Sequence, residues 1–140
     1  MSFKLGSEKR NIKTSENVNL SKSDNLDYIG DYKRAPVYRK TLEGGTLAEA
    51  NMDGSIYVDP KVNLKSKFGK RLLAHEKGHL DDINNGDAAY GDDWVMWKGD
   101  IFFRKNIEGV DLIDGPAGRK PAGHSDHPWE QSAIEAEKKA

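Results

Sequence analysis

His75 and His79 stand four residues apart in Leu73-Ala74-His75-Glu76-Lys77-Gly78-His79, and this spacing constrains the local fold more than any other feature of the chain. On a helix, residues i and i+4 emerge one turn apart on the same face, so two imidazoles can reach one tetrahedral ion. The surrounding pattern agrees. Over residues 66–84, Phe68, Leu72, His75 and His79 share one stripe, Leu73, Leu80 and Ile83 lie beside it, and Lys67, Lys70, Lys77 and Asp81 point elsewhere. Asn84-Asn85-Gly86 supplies the stop, since Asn and Gly tolerate the left-handed conformation of a C-cap.

The chain contains no cysteine, so a metal must be held by His, Asp, Glu or water. Two imidazoles on one helical face suit Zn2+. Glu76 is offset from the ligating face, so it can hold the attacking water and take its proton as general base. The competing reading is a pair of exposed helix histidines beside an unrelated acid. The third ligand is open at this point. Glu130, in Pro128-Trp129-Glu130-Gln131-Ser132-Ala133, would project from the start of a second helix, where Ala133 permits close helix packing. A first-turn acid that complements the helix dipole is its alternative. Asp87, in Asp87-Ala88-Ala89-Tyr90-Gly91, competes for the same place, as do His124 and His127. Tyr90, Arg119, His124 or His127 could also stabilise an oxyanion.

The rest of the chain reads as one modest domain behind an arm. Of 140 residues, 36% are hydrophobic and 32% charged, which leaves room for one small core. Residues 1–35 intersperse charges with Ser and Asn without helical or strand period, and are read as an extended or disordered arm that docks on other protein chains. Residues 36–140 form the domain. Strands are expected over 37–41, 46–50 and 55–58, with Asp53-Gly54 as a hairpin signal and Asp59-Pro60 as a stop. Trp94 to Trp97 and Ile101 to Phe103 suggest a further hairpin whose aromatics form core or line a groove. Residues 87–93 and 109–126 are expected as loops, and Pro128 opens a terminal helix. The expectation is an α+β fold with a small antiparallel sheet. The segment Ser55, Ile56, Tyr57 and Val58, leading into the metal helix, is the expected edge strand that would pair with a substrate backbone.

Charge excludes some partners. A formal net charge of -1, from 22 basic and 23 acidic residues, argues against a general electrostatic grip on nucleic acid. No stretch approaches the roughly 20 apolar residues of a membrane span. The first 13 residues lack the apolar core of a secretory signal. A soluble chain is expected.

With Glu130 on a later helix, the segment from Leu73 to His79 resembles the gluzincin group of metallopeptidases. More narrowly, the chain is similar to small HExxH proteins encoded by tailed bacteriophages beside virion genes. The shared features are Gly54-Ser55-Ile56-Tyr57-Val58-Asp59-Pro60, Trp97-Lys98-Gly99, and Pro128-Trp129-Glu130 with Ala133. The resemblance covers residues 36–137. It implies a zincin-like domain, with zinc at His75, His79 and Glu130 and Glu76 as base. The function expected on that site is a zinc-dependent hydrolase acting on a peptide or peptidoglycan cross-link. The resemblance also implies a setting in a phage virion or the host cytoplasm, with the arm on phage structural proteins. The alternative is a non-catalytic tail or capsid component braced by zinc. The Asp-x-x-Tyr-Gly stretch at Asp87 partly resembles aspzincins but lacks their preceding Gly-Thr. The metzincin pattern fails because Asn85 occupies the place of its third histidine.

Overall fold

A computed structural model describes residues 26–139. The elements run β1 (Asp27–Tyr32), β2 (Ala35–Arg39), β3 (Ala48–Ala50), β4 (Ile56–Val58), α1 (Lys67–Asn84), β5 (Ala88–Tyr90), β6 (Trp94–Trp97), β7 (Asp100–Ile107), β8 (Val110–Gly115), β9 (Gly118–Pro121) and α2 (Pro128–Lys138). The mixed α+β class expected from the sequence is present. The arm of residues 1–35 is shorter than expected at its C-terminal end, because β1 pairs with β2 from Asp27 onward. The remainder of that expectation, residues 1–25, lies outside the described residues.

The strands form two sheets, ordered β1-β2-β4-β3 and β5-β6-β7-β8-β9. The first is mixed: β4 runs antiparallel to β3 but parallel to β2. The expectation that Ser55 to Val58 forms an edge strand is therefore corrected. Ile56, Tyr57 and Val58 sit in the centre of the sheet with both backbone edges paired, while Ser55 lies in the turn before β4, hydrogen-bonded to Asp53. In place of the expected loops, residues 88–90, 110–115 and 118–121 complete the second sheet as an antiparallel meander. The β1–β2 turn puts Lys33 and Arg34 at φ 46° and 75°, the primed geometry that matches strand twist and usually selects Asn-Gly.

Helix α1 begins where Ser66 Oγ accepts the Gly69 N–H at 3.0 Å, satisfying one of the amides a helix start leaves free. It ends before Gly86, which takes φ +81°. Its buried residues, from Gly69 and Leu72 through Leu80, cover more than one stripe because α1 packs on β3, β4 and β5 and also on α2. Leu72, Ile56, Val58 and Ile113 are fully buried in one continuous core. Truncating such a side chain to Ala costs about 2–5 kcal/mol. Trp129, 1% exposed, joins α2 to the second sheet through edge and tilted contacts with Trp97 and Phe102.

Candidate metal centre

The two helices bring three ligand types to one point. His75 and His79 come from consecutive turns of α1, and Glu130 comes from the first turn of α2. Their ligand atoms all lie within 4.8 Å of one another. Glu130 Oε1 is 2.9 Å from His75 Nε2, and Oε2 is 3.3 Å from His79 Nε2. Tetrahedral nitrogen and oxygen ligands at roughly 2.0–2.1 Å from zinc stand about 3.3–3.5 Å apart. The two glutamate–histidine separations lie close to that edge length, and all three ligand atoms fall within 4.8 Å of one another.

Helix packing explains the convergence. A Cβ placed on Gly78 would come 2.8 Å from Ala136 Cβ and 3.2 Å from Ala133 Cα. Only a residue without a side chain lets α2 approach α1 so closely, and Ala133 and Ala136 keep the facing surface small. Pro128 in the first turn presets the helical backbone, and Glu130 follows it onto the face that meets His75.

A second acid reaches the same histidine. Glu137 Oε2 lies 2.6 Å from His75 Nδ1. Glu130 and Glu137 are two helical turns apart on one face of α2, so His75 is held at both ring nitrogens. Both ring nitrogens thus face carboxylate oxygens, Nε2 toward Glu130 and Nδ1 toward Glu137, which fixes the orientation of the ring. Sequence reasoning missed Glu137. The available signal was its seven-residue spacing from Glu130.

Burial sets the charge states. His75, Glu76, His79 and Glu130 are each at most 2% exposed. Desolvation lowers the His79 pKa to about 3, so its imidazole is neutral and able to ligate across the neutral range. Glu76 is pushed well above the usual carboxylate range, first by desolvation and then by the charges of Glu130 and Glu49. Both Glu76 oxygens are buried without a hydrogen-bond partner among the described residues.

The other residues weighed from the sequence lie elsewhere. Asp87 lines an open hollow with Asp82, Trp97, Lys98 and Ser132 and is outside the His75, His79 and Glu130 group. Tyr90 is a core residue whose hydroxyl donates to the Ala50 carbonyl at 3.0 Å. His127 is buried, stacks on Trp129 at 4.6 Å, and turns Nε2 to the Pro121 carbonyl. His124 is in the loop before α2, where Nδ1 accepts the Asp126 N–H. Arg119 is paired with Asp114 on β9 and β8. Trp97 and Phe102 face the core, whereas Phe103 is 71% exposed. Among the described residues, no helix is long and apolar enough to cross a membrane.

The metal-capable group is thus a property of two helices and their tight contact. No family model, curated protein or solved structure matches this chain.

Proposed function

We propose that this chain is a zinc-dependent hydrolase of the metallopeptidase type, on a zincin-like domain, in which His75, His79 and Glu130 hold the ion. The observation that supports it best is Glu76. A purely structural metal site gains nothing from a fully buried carboxylate that has no hydrogen-bond donor among the described residues, and burying such a group costs several kcal/mol when ionised. A water beside the ion would supply the missing donor.

When bound, zinc would bring a water's pKa toward neutrality and polarise a scissile carbonyl. Glu76 accepts the water's proton as its oxygen bonds to the carbonyl carbon. The same carboxyl then gives that proton to the departing amine as the C–N bond breaks. Neutral His79 and the Glu137-oriented His75 would present their Nε2 lone pairs to the ion. The substrate class is a peptide or a peptidoglycan cross-link. With β4 central, an extended substrate backbone would pair with β3, the sheet edge that packs on α1.

A second reading, a non-catalytic virion component braced by zinc, is favoured by the closed setting. With every chemistry-bearing side chain at most 2% exposed, a substrate must displace what covers them. The phage setting itself rests on the sequence resemblance alone. One comparison separates the readings. Zinc-loaded wild-type chain is assayed on peptide and peptidoglycan substrates beside Glu76→Gln. The enzyme reading expects equal zinc in both and turnover reduced by at least about a hundredfold in the variant. Turnover indifferent to Glu76, or absent in zinc-loaded wild type, removes it.

A further inference from the structure

Among the described residues, no layer packs over one face of the second sheet. Along β7, Phe102 and Arg104 turn inward, while Ile101, Phe103, Lys105 and Ile107 alternate outward. The register widens the outer face: Trp94 lies opposite Phe103, and Met96 opposite Ile101. Beyond Lys105 it continues through Leu112 and Val110 on β8. Ile101 is 62% exposed, Phe103 71%, Ile107 39% and Val110 47%. Phe103 is the one aromatic among them, and the four together leave on the order of 400 Å² of surface in water. That is within the range of the largest apolar patch on a typical monomer, which is often functional.

We propose that this face is the interface of a twofold homodimer, the outer face of β6, β7 and β8 on one protomer packing against the same face of its partner. Three observations select a second copy. A sheet face is normally buried by another sheet or by amphipathic helices, and a second copy supplies a sheet of identical chemistry and twist. The area reaches the lower bound: two such faces contribute on the order of 800 Å², and Trp94, Met96 and Leu112 at their margins bring the total to the roughly 1,000 Å² a specific interface needs. The charge is also compatible. At the β8–β9 flank, Asp114 and Arg119 neutralise each other through hydrogen bonds of 2.5 and 3.1 Å, so like-on-like contact strands no unpaired charge there. Lys105 can carry its ammonium to the rim along its own stem. The competing occupant is residues 1–25. Its large apolar residues Phe3, Leu5, Ile12, Val18 and Leu20 follow no period that would present one apolar stripe.

Sedimentation equilibrium of the full chain, up to about 100 µM, tests the proposal. A dimer is expected, with its dissociation constant raised at least about tenfold in Phe103→Lys and in Ile101→Lys. Both positions are exposed in the protomer, so far-ultraviolet circular dichroism should be unchanged. Because the chain has no cysteine, a spin label on Lys105→Cys reports the contact directly, and one intermolecular distance below about 30 Å is expected. A wild-type chain that remains monomeric overturns the proposal, as it would if residues 1–25 covered the face. A dimer indifferent to both lysine variants, or one that holds the labels far apart, overturns it equally.

Discussion

Gly78 of α1 and Ala133 of α2 pack so closely that Ala133 Cα lies 3.2 Å from where a Gly78 Cβ would stand. The contact fixes the distance between the helix that carries both histidines and the helix that carries Glu130. In an isolated helix, Gly78→Ala would stabilise by about 1 kcal/mol. Here the new methyl meets Ala136 Cβ at 2.8 Å, and both carbons are rigidly tied to backbone. The substitution is expected to destabilise the chain by about 1–3 kcal/mol and to weaken zinc binding. Adding Ala136→Gly should restore zinc affinity. Thermal melting and zinc competition titration measure the two effects, and a zinc affinity unchanged in Gly78→Ala would dissociate helix spacing from the site.

Glu137 holds His75 at Nδ1 and lies outside the His75, His79 and Glu130 group. Glu137→Gln is expected to lower zinc affinity by about 10- to 100-fold with little change in fold, the usual effect of losing a carboxylate behind a ligating imidazole. Competition with a chromophoric chelator reads this. A variant that binds zinc as tightly as wild type would reduce the 2.6 Å contact to packing.

The helix that carries His75 and His79 was legible in the sequence because its determinants are local: the four-residue spacing, the apolar stripe and the Asn84-Asn85-Gly86 stop. Glu130 was legible as a candidate from its chemistry and from Ala133. What separated it from Asp87 and His127 was tertiary, since α1 packs on α2 while the Asp87 segment enters a strand and His127 stacks on Trp129. The central position of β4 could not be read for the same reason. Strand order depends on which segment returns to which edge, and residues 40–47 carry no local mark of placing β3 outside β4. The strands β8 and β9 were hidden by Gly109, Gly115 and Gly118, which suggested loops but form the tight turns of a meander.

Glu76 and His79 give the metal-free chain opposing pH slopes. Glu76 has a raised folded-state pKa, so its contribution is fully present below the ordinary carboxylate value and is lost as pH rises through the folded value. His79, lowered from 6.5 to about 3, contributes stability present above 6.5 and lost as pH falls toward about 3. Melting temperatures of chelator-treated wild type and Glu76→Gln should therefore diverge as pH rises, with the variant the more stable at neutral pH. Parallel curves would contradict the desolvation of the buried Glu76 carboxylate.

Trp129 couples the second sheet to the site through the residue that precedes Glu130. Trp129→Ala removes a side chain that is 1% exposed and is expected to cost about 3–5 kcal/mol. Trp129→Phe should cost less and keep zinc binding. Denaturant titration with a parallel zinc titration tests both, and a cheap alanine variant would contradict the described core.

The central claim is that His75, His79 and Glu130 hold one zinc ion. Zinc-edge X-ray absorption on the zinc-loaded full chain measures it directly. The account predicts one zinc per chain, with two imidazole scatterers at about 2.0–2.1 Å and the remainder oxygen. A chain that takes up no stoichiometric zinc, or zinc bound with fewer than two imidazoles, would contradict it.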